Sequence, residues 1–295
     1  LRQMEIVANS IICRKQSDLP YRHILFHGMP GTGKTMVAER LAKQCGMDYA
    51  IMSGGDVVPL GPAAVTEIHE VFRWAKSSRR GVMLFIDEAE CFLQSRDAGG
   101  RMGEEVRSAL NALLHQTSSQ STKFMMVLAT NRPEDLDAAV LDRIDDALEF
   151  PLPAFQQREE LLLSHFARCV GTPDTKTWRT AEPLRERQAG LGRLLPGWRS
   201  GPRTVKLTDL GPKSFARLAD ETGGFSGREI AKLMLSLQAH VFGSDGDLEV
   251  SLQVLQRVLS IKLKEHRAKG AFLEKDAAAR RGPASAAVRE GGGGG

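Results

Sequence analysis

The sequence has little of what marks a secreted, membrane-embedded or nucleic-acid-binding chain. Only four cysteines occur in 295 residues, Cys13, Cys45, Cys91 and Cys169, far apart and without a C-x-x-C spacing. That pattern gives no disulfide framework and leads to the expectation of buried, reduced thiols in a reducing compartment. No apolar run approaches about 20 residues, so no part of the chain is expected to span a bilayer. Charge of one sign is also missing: 40 basic against 36 acidic residues leave +4. That is too mild to argue for direct nucleic-acid contact, although basic residues cluster within 179–206. A guanine-reading Asn-Lys-x-Asp signature is absent. The chain opens at Leu1 without a signal-like segment, and reads as a piece of something longer. With 42% hydrophobic and 26% charged residues, the composition is that of a globular protein with room for one large or two moderate domains.

Against those absences stands Gly28-Met29-Pro30-Gly31-Thr32-Gly33-Lys34-Thr35, which fits G-x-x-x-x-G-K-[ST]. Ile24–His27 before it reads as a short buried strand. Met36, Val37, Ala38, Leu41 and Ala42 after it recur at helical spacing. Strand, glycine loop and helix together form a phosphate cradle: backbone N–H groups turn inward and the helix adds its positive end. Gly31 and Gly33 let the backbone close around phosphate oxygens. Lys34 would neutralise the β and γ phosphates of ATP, and the Thr35 hydroxyl would hold Mg²⁺.

The rest of the first half alternates strands and helices. Tyr49–Met52, Val82–Ile86, Phe124–Ala129 and Ala147–Phe150 read as strands, with helical stripes at Val65–Ala75 and Val106–Leu114. The alternation predicts a parallel sheet with crossover helices. Val82–Ile86 delivers Asp87 and Glu88 to its end. Asp87 suits the Mg²⁺ shell, and Glu88 suits orienting and deprotonating the attacking water. An acidic helix start is the bland alternative. Asn131 follows the fourth strand, where it can reach the γ-phosphate or the lytic water; as a turn former before Arg132-Pro133 it needs no such role. Beyond Pro151 and Pro153 the pattern turns to helices with no strand between them, including a Ser226-x-x-Glu229 capping box. The expected organisation is an α/β nucleotide domain at 1–152 and a small all-helical lid at 153–268. Within the lid, 171–211 reads as an inserted mobile loop, and 269–295 as a disordered tail.

Jointly these motifs resemble the AAA group of AAA+ ATPases. Gly28–Thr35 looks like its Walker A, Leu84–Glu88 like its Walker B and Ala129–Pro133 like its sensor-1 region. Leu136–Arg143 resembles the segment that presents an arginine finger, and Phe225–Ile230 the start of the lid helix. Tyr21–Phe26, Gly46–Met52, Gly54–Asp56 and Asp142–Ile144 carry a narrower likeness to mitochondrial AAA-domain ATPases of the ATAD3 type. The resemblance implies a P-loop ATP hydrolase acting as a homo-oligomer, a hexamer, with Arg143 pointing out of its own domain into the neighbour's site, or else serving as a surface salt-bridge partner for Asp142 or Asp145. Arg228 falls where a lid residue would contact phosphate, or else is an exposed helix-surface arginine. It also implies a mitochondrial inner-membrane location with the ATPase domain in the matrix, and a membrane segment lying outside this chain. The aromatic of a typical pore loop is replaced by Pro59-Leu60-Gly61. Two outputs therefore stay open: an engine that remodels a protein partner, or a membrane-organising scaffold whose ATP cycle switches assembly. A P-loop kinase fits less well, since Asp87-Glu88 supplies a water-activating base.

Overall fold

The computed structural model describes residues 6–9, 11–12, 19–94, 103–174, 177–182, 204–243 and 248–281. The chain divides into two compact units, Leu1–Leu152 and Pro153–Gly295.

The first unit is built on five parallel strands. They are β1 (Ile24–His27), β2 (Asp48–Ser53), β3 (Val82–Asp87), β4 (Phe124–Thr130) and β5 (Asp146–Glu149). Their order across the sheet is β2-β3-β4-β1-β5. Helices α1 (Lys34–Gln44), α2 (Gly54–Val57), α3 (Ala63–Ser77), α4 (Glu104–Gln116) and α5 (Ala138–Leu141) connect them. The central strands are apolar at nearly every position because both faces are covered. Alternate residues of β3 and β4 enter different cores, since successive side chains leave a strand on opposite sides. Met83, Phe85, Met125 and Val127 pack with Ala38 and Leu41 of α1. Leu84, Ile86, Met126 and Leu128 pack with Ile68 and Phe72 of α3 and Leu110 and Leu113 of α4. This sandwich clamps the sheet from both sides, so the carboxyl ends of β1, β3 and β4 keep fixed positions. In the N-terminal stretch the described residues 6–9 and 11–12 are helical, with Val7 and Ile11 buried against the α1 side.

His23, just before β1, is buried; its Nδ1 accepts the Met126 amide proton at 3.1 Å, and its ring stacks on Phe124. Burial lowers its pKa, with Asp145 opposing, so the ring stays neutral and the acceptor is kept.

The second unit packs α6 (Phe155–Cys169), α7 (Pro212–Glu221), α8 (Gly227–Phe242) and α9 (Leu252–Arg281) around Leu162, Phe166, Phe215, Leu233 and Leu237. α8 starts at the Ser226-x-x-Glu229 capping box, as expected, with Ser226 as its N-cap. The expected absence of strands is not met: β6 (Thr172–Pro173), β7 (Thr180–Glu182), β8 (Val205–Thr208) and β9 (Glu249–Ser251) form a small sheet in that order. Residues 171–211 are therefore not a loop throughout. Ala181, Val205, Leu207 and Leu210 are buried in the core of this unit, while 183–203 lie outside the described residues. The tail also begins later than expected, because α9 carries helix to Arg281; residues 282–295 lie outside the described residues. Among the described cysteines, Cys45 and Cys169 are buried as expected but Cys91 is exposed, because it ends the short turn after β3. Cys13 lies outside the described residues. No helix among the described residues is long and apolar enough to cross a membrane.

Candidate nucleotide site

The strand order brings the candidate residues together. β4 lies between β1 and β3, so Asn131 stands between the glycine loop and the Asp87-Glu88 pair. The loop runs from β1 into α1 through Gly28 (φ 138°), Gly31 (φ 81°) and Gly33 (φ 100°). At Gly28 the need is spatial as well as conformational, because a Cβ there would collide with the Phe150 carbonyl oxygen. Gly33, in the left-handed region as the N-cap of α1, has no side chain to cap the helix, which leaves the first amides of α1 for an anion.

Lys34 is buried, and its Nζ donates to Gly28 O (2.7 Å), Met29 O (3.1 Å) and Asn131 Oδ1 (2.8 Å). Thr32 Oγ1 donates to Met29 O at 2.8 Å, pinning the loop across its mouth. Pro30 and Met29 form its outer edge, Met29 half-exposed, and Met36 lies on the exposed side of the first turn of α1. Thr35 Oγ1 donates to Asp87 Oδ2 at 2.7 Å, so the two expected metal ligands converge on one point. Asp87 Oδ1 accepts the Glu88 amide proton at 3.0 Å. Glu88 itself holds φ 49°, ψ 45°, left-handed values that are costly for a residue with a Cβ. Its carbonyl lies against Gly54, where a Cβ would collide with it, and its carboxylate is exposed above Gly55.

Thr35 and Asp87 suit Mg²⁺, which takes one or two protein oxygens and completes its octahedron with phosphate and water. The described residues hold no cluster of three or more His, Cys, Asp or Glu side chains that would cage an ion alone. Lys34, Thr35, Asp87, Glu88 and Asn131 are thus one constellation in the first unit.

Arg143 follows the short helix α5. It is half-buried, with Nη1 donating to Ala139 O (2.5 Å) and Nε to Leu114 O (3.3 Å), carbonyls of its own unit at the ends of α5 and α4. Free carbonyls at helix C-termini attract a guanidinium. Arg228 is exposed in the first turn of α8, in the second unit. Leu60 ends a short 3-10 turn (Val58–Leu60) and is 42% exposed. Sequence reasoning missed Glu90, whose Oε1 accepts from the Asn131 amide (3.4 Å) and from Asn131 Nδ2 (3.5 Å). Its signal was a third acid two residues after Glu88.

The family of ATPases associated with various cellular activities (AAA) matches residues 24–152. The chain is similar to the Drosophila melanogaster ATPase family AAA domain-containing protein 3A homolog, 43% identical over 255 residues, 86% of this chain and 38% of that protein. It is 40% identical over 264 residues to human ATPase family AAA domain-containing protein 3A, covering 89% of this chain and 40% of that protein. The Caenorhabditis elegans ATPase family AAA domain-containing protein 3 is 38% identical over 278 residues, 93% of this chain and 42% of that protein. The chain thus spans about two fifths of the length of these relatives. The fold is similar to the crystal structure of the FIGL-1 AAA domain in complex with ADP, with a TM-score of 0.64 at 19% identity over 92% of this chain and 85% of that one.

Proposed function

We propose, since the chain belongs to the AAA ATPases and carries a module of the ATAD3 type, that it binds ATP with Mg²⁺ and hydrolyses it by in-line attack of water on the γ-phosphate. The observation that carries the proposal is the convergence of Lys34, Thr35, Asp87 and Asn131 through hydrogen bonds of 2.7–2.8 Å at the ends of three adjacent strands. Lys34 holds neutral acceptors, two carbonyls and an amide oxygen. Phosphate oxygens form stronger, charge-assisted bonds with an ammonium and would take their place. The Thr35 hydroxyl and Asp87 carboxylate would hold Mg²⁺, which supplies charge neutralisation on the phosphate oxygens. Glu88, exposed beside Asp87, would take the proton of the attacking water, and Asn131 would orient that water or the γ-phosphate. Arg143 is assigned to a neighbouring subunit's site in a ring, a hexamer.

For the whole protein, the likeness to ATAD3-type relatives supports a matrix-facing module attached to the mitochondrial inner membrane through segments outside this chain. It would remodel or organise a protein partner there. A scaffold whose ATP binding switches assembly is favoured by one feature: Leu60 beside Gly61 offers no aromatic face to grip a chain. Measuring ATPase rate against protein concentration tests both readings. Specific activity that climbs with concentration is expected of a hydrolase completed by assembly. ATP binding with no turnover at any concentration would overturn the hydrolase and leave the scaffold.

A further inference from the structure

Glu90 is an acid at this site for which hydrolysis, as set out above, has no use. After β3 the chain passes Glu88 in its left-handed conformation and turns through the 3-10 segment Ala89–Cys91, which sets Glu90 against Asn131. Oε1 accepts from both the backbone and the side-chain nitrogen of Asn131, at 3.4 and 3.5 Å. Oε2 is buried and takes no hydrogen bond from a described residue. A buried carboxylate oxygen left without a donor costs stability, so packing alone gives no reason for an acid here.

The other pole of Asn131 explains it. Oδ1 accepts from Lys34 Nζ at 2.8 Å. An ammonium has only donors and a carboxylate only acceptors, so these two neighbours fix which way the amide faces. The nitrogen pole faces Glu90 and the oxygen pole faces Lys34. An amide nitrogen carries two hydrogens. One is engaged by Glu90; the other remains to be donated to a phosphoryl oxygen, which accepts only. A flipped amide would present its carbonyl to that oxygen and repel it. Lys34 alone would not prevent the flip once its ammonium has exchanged Asn131 for phosphate.

We propose that Glu90 is a positioning residue that holds the Asn131 carboxamide with its NH₂ group turned for donation during hydrolysis. It acts through Asn131 and touches neither nucleotide nor water. The inference rests on the reading of Asn131 as the residue that orients γ-phosphate or lytic water.

The test is a double-mutant cycle on the whole chain: Glu90→Ala, Glu90→Gln, Asn131→Ala and the double variant Glu90→Ala/Asn131→Ala. Each is measured for kcat, for affinity toward a non-hydrolysable ATP analogue, and for melting temperature. Glu90→Ala should lower kcat by about tenfold to a hundredfold, the loss expected from a misplaced catalytic group. Analogue affinity should stay within about twofold, as for a group that acts only in the transition state. Glu90→Gln can accept from Asn131 but can also donate to a flipped amide, so its rate should fall between those of Glu90→Ala and the parent. In the Asn131→Ala background, Glu90→Ala should add no loss, because the two act as one unit. Losses that multiply in the double variant would overturn the inference. So would a Glu90→Ala loss that tracks melting temperature and analogue affinity instead of kcat. Parental speed in Glu90→Ala alongside a slow Asn131→Ala would overturn it while sparing the role of Asn131. Parental speed in Asn131→Ala would remove that role, and the inference with it.

Discussion

Lys34 and Glu88 are separated in sequence by β2 and β3, yet Lys34 bonds Asn131 and Thr35 bonds Asp87 beside Glu88, and the roles proposed for the two are distinct. In the proposed mechanism the Lys34 ammonium would neutralise phosphate charge in the ground state, and the Glu88 carboxylate would act on water in the transition state. Lys34→Ala should therefore lose tight ATP binding. The bonds from its ammonium to Gly28 O, Met29 O and Asn131 Oδ1 would also be lost, which loosens the loop although Thr32 still donates to Met29 O. Glu88→Gln should keep ATP and lose turnover by a hundredfold to ten-thousandfold, roughly the contribution of a positioned general base. Titration calorimetry together with a phosphate-release assay checks both, and equal ATP affinity for Lys34→Ala and the parent would remove Lys34 from the site. Most of this constellation was legible from residue order alone, because a glycine loop with Lys-Thr at its end and an acid pair after an apolar strand have few other uses. Glu90 was not legible. Its role depends on a turn that only the left-handed backbone at Glu88 produces, and no periodicity announces one such residue. Arg143 was legible as a conspicuous arginine, but its engagement with two helix-end carbonyls of its own unit was not.

Elements of different length were legible to different degrees, for a physical reason. β1, β3 and β4 each carry three or more consecutive buried residues packed on both faces, and such runs stand out in sequence. The strands of the second unit are two to four residues long, and none buries more than two side chains, too few to show a period. The distal half of α9 was missed for the opposite reason: it is a good helix former with no apolar stripe, so it reads like a charged tail. The buried strands also mean that 171–211 cannot be replaced by a short Gly-Ser link without loss of packing. Deleting Val205, Leu207 and Leu210 along with Ala181 removes buried apolar groups that cost about 2–5 kcal/mol for each leucine lost. Thermal melts followed by circular dichroism, with limited proteolysis, should show the second unit unfolding well below the parent; an unchanged melt would remove the small sheet from the fold. A second element-level prediction concerns α8 and α9. Glu229, at the start of α8, accepts from the Ser226 amide and hydroxyl at 2.9 Å each and pairs with His266 (3.1 Å) and Lys269 (3.4 Å) of α9. Burial pulls its carboxyl upward, but the bonds from Ser226 and His266, with the Lys269 charge, outweigh it and hold the pKa at about 2 against 4.5 for the ordinary group. A folded-state pKa below the unfolded one means stability that is present above about 4.5 and lost as pH falls toward about 2. Urea midpoints across that window should fall in the parent and fall less in Glu229→Gln, and parallel curves would remove Glu229 from the acid response.

At the scale of the whole molecule the question is whether one chain completes its own site, and Arg143 decides it. Within its own unit the guanidinium donates to Ala139 O and Leu114 O, which makes it a clamp on the ends of α5 and α4. A guanidinium has five N–H donors, so two such bonds leave capacity for phosphate oxygens of another subunit. The two roles make different predictions. A clamp alone gives Arg143→Ala a lower melting temperature and a loss of about 1–3 kcal/mol from the lost bonds to Ala139 O and Leu114 O, with turnover reduced only as far as folding is. A finger acting in trans gives a variant that still binds ATP but hydrolyses it on the order of 10³–10⁵ more slowly. We expect the second result. It carries a further consequence, because a head-to-tail contact that closes into a ring places the Arg143 of one subunit at the Glu88 of the next. Glu88→Gln and Arg143→Ala, each inactive alone, should then recover activity when mixed. In equal random mixing an intact Glu88 meets an intact Arg143 at about one interface in four, so up to about a quarter of parental activity should return. Fusing both variants to a hexamerising coiled coil, with subunits exchanged before assay, supplies the assembly that segments outside this chain would provide. Recovery under those conditions makes the module a ring enzyme whose site is shared between subunits. Mixed rings as inactive as their parents, with Arg143→Ala melting early, would leave the arginine as a clamp and each site the work of a single chain.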